Sequence, residues 1–117
     1  MDSFRQGDVV RVPFPYTDKS TRQHRPALVV SESQVGEGNA LLWVVMITSA
    51  ENRRWPHDLD ITNLASAGLP AASVIRPSKI ATIEARHADV LGRIETAMMT
   101  KVADSIASIL GIRLRTT

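Results

Sequence analysis

Two apolar runs rich in β-branched residues, Ala27-Leu28-Val29-Val30 and Leu41-Leu42-Trp43-Val44-Val45-Met46-Ile47, stand on either side of Gly36 and Gly38. Runs that are apolar without alternation read as central strands covered on both faces. The glycines supply the turn between them. An antiparallel hairpin turning at Gly36-Glu37 pairs residues whose numbers add up to about 73. That register sets Arg25, just before the first run, opposite Thr48, which closes the second. A guanidinium beside an alcohol at the open end of a sheet is a phosphate site in outline. A slip of one residue would turn every side chain of the strand to the other face, so the register carries the inference.

With 117 residues, the chain has the size of one compact domain, and residues 1–117 are read as such. Cysteine is absent, which excludes a disulfide scaffold, a thiolate metal site and a thiol nucleophile. The apolar runs are far shorter than a membrane span, and Met1-Asp2-Ser3-Phe4-Arg5 does not open like a secretory leader, so a cytoplasmic protein without membrane attachment is expected. Eleven of the fourteen cationic residues are arginine, the residue suited to bidentate phosphate contacts, although solvated arginine surfaces are also common. The aromatic residues are only Phe4, Phe14, Tyr16, Trp43 and Trp55, too few for an extended base-stacking platform.

Val10, Val12 and Phe14 alternate with Arg11 and Pro13, which predicts a first strand with one core face, ending at an edge of the sheet. Residues 15–24 read as a long polar connection, and Ser49 to Trp55 as a second one with adjacent arginines. A short strand is expected over residues 57–61. A short helix over 63–68 is capped by Thr62 or Asn63 and stopped by Gly68. Two strands, 73–75 and 80–83, flank Pro77, and a last one covers 90–94. Thr96 is placed to cap a helix whose stripe of Met99, Val102, Ala103, Ile106 and Leu110 runs to Gly111. Met98 and Met99 are assigned to the core or to a dimer contact. The layout is mainly β, a barrel or half-barrel of antiparallel strands closed by one carboxy-terminal helix.

Taken together, Gly7-Asp8-Val9-Val10, Val12-Pro13-Phe14, Arg25-Pro26-Ala27-Leu28-Val29-Val30-Ser31, Val45-Met46-Ile47-Thr48, Gly68-Leu69-Pro70, Ser73-Val74-Ile75 and Ile80-Ala81-Thr82-Ile83 resemble the MazF/PemK toxins of bacterial toxin–antitoxin systems. That family consists of small, sequence-selective endoribonucleases. The resemblance implies a small SH3-like, CcdB-like barrel with short helices and a carboxy-terminal helix. It also implies a homodimer, a cognate antitoxin partner and single-stranded RNA as substrate. Its catalytic pair maps onto Arg25 and Thr48. Two departures stand out: Asp18-Lys19-Ser20-Thr21-Arg22-Gln23 replaces the family's usual first loop, and Ala81 stands where many members carry a basic residue, a loss that Lys79 or Arg76 would offset.

Elementary chemistry is consistent with that mapping. RNA is cut without a metal or other cofactor when its 2′-hydroxyl attacks the adjacent phosphate in line, provided that the protein holds the phosphate and stabilises its growing charge. Arg25 offers paired donors and Thr48 a hydroxyl. The groove would also present Lys19, Arg22, Ser49, Arg53, Arg54 and Lys79 to RNA. Blander roles exist for each. Arg25 is also placed to act as the strand-end partner of Asp8 or Asp18, and Thr48 is an ordinary strand residue. His24 faces away from Arg25 if both lie on one strand. His57 and His87 lack metal-ligand spacing, and no metal site is expected. Two other functions remain open: a CcdB-like toxin that binds gyrase without cutting, whose Trp-Gly-Ile-like end is here Gly111-Ile112 without the tryptophan, and a non-enzymatic interaction barrel.

Overall fold

The computed structural model describes residues 3–15 and 22–112. In chain order they form β1 (Asp8–Pro15), β2 (Arg22–Val29), β3 (Leu41–Ser49), β4 (Leu59–Asp60), α1 (Leu64–Ala67), β5 (Ser73–Glu84), β6 (Asp89–Arg93) and α2 (Thr96–Leu110). All six strands join one antiparallel sheet in the order β4-β5-β3-β2-β1-β6, curled into a half-barrel with α2 packed against it.

The central hairpin has the register read from the sequence. Ala27 pairs with Met46, Leu28 with Val45 and Val29 with Val44. A 3-10 turn at Glu37–Asn39 follows Gly36, whose φ of 81° suits glycine. Strand alternation sorts the side chains into two cores. Val9, Leu28, Val45, Ile47 and Ile75 pack beneath α2 with Met98, Met99 and Val102. Val10, Val12, Phe14, Ala27, Val44 and Met46 fill the other face. Met98 and Met99 are therefore core residues.

Three expectations about the strands are corrected. β1 is an interior strand between β2 and β6, because Asp8 to Arg11 pair with residues 89–93. The connection expected over 15–24 is shorter, since Pro15 pairs with Arg22, Phe14 with Gln23 and Pro13 with His24. Polar residues pair as well as apolar ones when only backbone groups are needed. Finally, Pro77 does not divide two strands. β5 runs from Ser73 to Glu84, and Met46 pairs with Arg76 while the preceding Val45 pairs with Ile80. Pro77, Ser78 and Lys79 bulge out of the ladder, which is how a sheet accommodates a residue without an N–H.

The helix ends are formed by short-range chemistry. Asn63 caps α1 by accepting from the Ser66 N–H at 3.0 Å. Gly68 stops it at φ 73°, and a Cβ there would lie 2.0 Å from the Leu91 carbonyl oxygen. Thr96 is the first helical residue of α2 and Glu95 precedes it without a side-chain cap bond, so the expected threonine cap is not formed. Gly111 ends α2 as expected. The apolar stripe does not stay buried throughout: Met98, Met99 and Val102 are covered, whereas Leu110 is 64% exposed.

Candidate active site

At one end of the sheet, β2 and β3 finish beside the turn that leads into β5. The paired part of the hairpin ends at Ala27 and Met46, and extending its register by two residues along each strand leads to Arg25 and Thr48. Both line a cavity of about 240 Å³, together with Pro26, Ser49 and the 69–73 segment. Arg25 is half-buried and Thr48 is 4% exposed, so the threonine is part of the cavity wall while the arginine stays partly in contact with solvent. The Thr48 Oγ1 accepts a hydrogen bond from Asn52 Nδ2 at 2.7 Å. The Ser49 Oγ accepts from the Glu51 N–H at 3.2 Å. The rest of the lining is mostly apolar, Pro26, Ile47, Leu69, Pro70, Ala71 and Ala72, with Ser73 as a further hydroxyl.

The segment following β3 is folded back and tied to β5. Arg76 Nε donates to Asp58 Oδ1 at 3.1 Å, and its Nη2 donates to Asp58 Oδ2 at 2.9 Å and to the Arg53 carbonyl at 2.8 Å. The Trp55 ring lies 4.2 Å from the Arg76 guanidinium carbon, with Lys79 Nζ at 5.8 Å. Asp58 also accepts from the Trp55 N–H at 2.9 Å. Burial pushes the Asp58 carboxyl up, but the hydrogen bonds from Arg76 and from the Trp55 N–H, with the nearby Arg76 and Arg54 charges, outweigh it and leave the pKa below the ordinary value. Arg76 is thus a buried anchor of this loop, and the offsetting substrate contact expected of it is ruled out by its burial and its three donated bonds.

Of the other residues singled out in the sequence, Ser49 joins the cavity, but Arg53, Arg54 and Lys79 do not line it. Arg53 is exposed, Arg54 is engaged by Asp60 at 3.0 Å, and Lys79 sits in the β5 bulge. Arg22 pairs through its backbone with Pro15, and Lys19 lies outside the described residues. His24 is exposed and sits opposite Pro13, His57 occupies a positive-φ turn, and His87 pairs with Glu84. The Asp8 carboxylate takes Arg93 and the Arg5 N–H, and Asp18, the other expected partner of Arg25, lies outside the described residues. Ala81 is partly buried against the Phe14 and Val44 cluster. Among the described residues no three His, Asp or Glu side chains gather into a metal-ligand set, and no helix is long and apolar enough to cross a membrane. Asn52 and Asp58 were not legible as site residues, because neither a lone asparagine nor a lone aspartate in a polar loop carries a spacing signal.

Residues 5–110 match the family model of the PemK-like, MazF-like toxins of type II toxin–antitoxin systems. The chain belongs to that family. Solved structures of the same fold agree. MazF from Deinococcus radiodurans is 20% identical and superposes with a TM-score of 0.77 over 96% of this chain and 100% of that one. MazF in the MazE–MazF complex of that organism is 19% identical, with a TM-score of 0.73 over 97% and 100%. A mycobacterial endoribonuclease in complex with its cognate antitoxin is 22% identical, with a TM-score of 0.72 over 98% and 100%. No curated protein matches the sequence.

Proposed function

We propose that this toxin-family chain is a metal-independent, sequence-selective endoribonuclease that cuts single-stranded RNA to a 2′,3′-cyclic phosphate and a 5′-hydroxyl. The observation that carries the reading is the single cavity lined by both Arg25 and Thr48. The scissile phosphate sits between them. Arg25 holds two of its oxygens with parallel donors, and the Thr48 hydroxyl donates to the same group, so charge built up by the attacking 2′-oxygen meets fixed donors. With a pKa above about 12, arginine stays charged and serves as an electrostatic stabiliser, not as the base. Ser49 contacts the same nucleotide, while Lys19, Arg22, Arg53, Arg54 and Lys79 contribute attraction to the flanking phosphates.

The chain acts as one cytoplasmic domain, held in check by a cognate antitoxin, as the Deinococcus and mycobacterial complexes support. It works as a homodimer. An apolar groove of about 370 Å³, lined by Trp43, Ile80, Ile109 and Leu110 beside α2, supports this, because monomers seldom leave such surface uncovered. The test is incubation with a long RNA in EDTA, with mapping of the new ends. Cyclic phosphate and 5′-hydroxyl ends are expected. Cutting that disappears in EDTA and returns with magnesium would refute the mechanism.

A further inference from the structure

Asn52 is an exposed loop residue whose side chain makes one well-formed hydrogen bond, from Nδ2 to Thr48 Oγ1 at 2.7 Å. The loop is built to hold it there. The Asn52 N–H donates to the Ser49 carbonyl at 3.1 Å and the Glu51 N–H to Ser49 Oγ at 3.2 Å, closing a tight turn directly after β3. The next carbonyl, that of Arg53, is tied to the buried Arg76 at 2.8 Å. The backbone is therefore held on both sides of Asn52, although Asn52 itself faces solvent.

A hydroxyl has one proton to give and two lone pairs to fill, whereas an amide NH₂ only donates. Asn52 occupies a lone pair of Thr48 and cannot take its proton. We propose that Asn52 is a positioning residue: its amide fixes the Thr48 rotamer and turns the hydroxyl proton toward the cavity shared with Arg25, where a phosphate oxygen accepts it. The donated bond also polarises the O–H, which strengthens its own donation to an anion. The destination of the proton rests on the nuclease reading above; the fixing of Thr48 does not.

The experiment combines kinetics and side-chain geometry in the full chain. Single-turnover cleavage of one RNA is measured for wild type, Asn52→Ala, Asn52→Asp, Thr48→Ala and the Asn52→Ala/Thr48→Ala double variant. The Thr48 χ1 distribution is read from three-bond NMR couplings to its methyl carbon without RNA. Asn52→Ala is expected to lower the cleavage rate about tenfold with little change in RNA affinity, to average the Thr48 rotamer, and to cost nothing further once Thr48 is alanine. Asn52→Asp has the same shape but accepts. It should keep the rotamer yet lose on the order of a hundredfold, since its carboxylate captures the Thr48 proton and repels phosphate. An undiminished loss from Asn52→Ala in the Thr48→Ala background would overturn the proposal. So would a fixed rotamer in Asn52→Ala, or wild-type cleavage by Asn52→Asp. If wild type cuts no RNA, the nuclease reading fails by itself, and the couplings alone decide whether Asn52 fixes Thr48.

Discussion

Arg76 and Asp58 form a bidentate pair with both partners out of water, the arginine side chain 7% and the aspartate 0% exposed. The pair joins the bulged part of β5 to the loop that follows β3, whose Asn52 reaches Thr48. A buried ion pair is costly to break from one side, because the remaining charge has neither water nor partner. Arg76→Met should therefore destabilise the fold by about 3–5 kcal/mol. Asp58→Asn, which keeps the shape and an acceptor for the Trp55 N–H, should cost less. Urea unfolding of the two variants checks the order, and equal stability of Arg76→Met and wild type would show that the pair is not a stabilising anchor.

The same pair gives stability a pH dependence of definite sign. The Asp58 carboxyl is lowered from its ordinary value of 3.8. A group depressed in the folded state contributes stability that is present above the unfolded value and lost as pH falls through the folded one. Stability should thus be insensitive to Asp58 from neutral pH down to about 4, then fall in stronger acid. In Asp58→Asn that part of the acid slope should be missing. Thermal melts between neutral and acid pH make the comparison.

How much of this was legible in the residues depends on distance along the chain. The hairpin register follows from two apolar runs around a glycine turn, and both ends of α1 follow from Asn63 and Gly68, all signals carried by neighbours. Pro77 misled because its missing N–H matters only inside a ladder, and the bulge takes it out of the ladder. Arg76 read as a spare cation for substrate, since its partner Asp58 lies eighteen residues away and nothing local marks the pair. Arg25 and Thr48 were joined by the extended register and by the family's catalytic pair, and both line one cavity.

Two glycines with nearly the same backbone separate conformational strain from crowding. Gly68 and Gly111 have φ of 73° and 72°, but a Cβ on Gly68 meets the Leu91 carbonyl oxygen at 2.0 Å while one on Gly111 meets nothing within 4 Å among the described residues. Gly111→Ala should cost only the left-handed strain, about 1–2 kcal/mol. Gly68→Ala must also push α1 away from β6, so its loss should be clearly larger. Calorimetry of the two variants decides; similar losses would mean that α1 moves aside freely.

Replacing Arg25 should remove a donor to the transition state and leave the fold in place. Arg25→Ala is expected to lower RNA cleavage by on the order of a hundredfold or more. Arg25→Lys should recover only part, because a single ammonium cannot hold two phosphate oxygens in parallel. Melting temperatures near that of wild type must accompany these losses, since Arg25 is only half-buried. Full activity in Arg25→Ala would remove the case for this residue.

Inhibition by the antitoxin should use the same cavity. On the proposed nuclease reading, a surface that draws phosphates through Arg25, with the exposed Arg53 close by in the chain beyond Thr48, would attract an acidic peptide for the same reason. A partly disordered acidic segment that folds on binding can cover the cavity and the loop from 49 to 58 together. Because much of the attraction would run between exposed opposite charges, binding should weaken as salt rises. Competition is the decisive measurement, with a 2′-deoxy substituted, uncuttable RNA and a saturating peptide from the cognate antitoxin. Displacement of the RNA is expected. An unchanged RNA affinity would place the antitoxin elsewhere, and inhibition would then act through a second site coupled to this one.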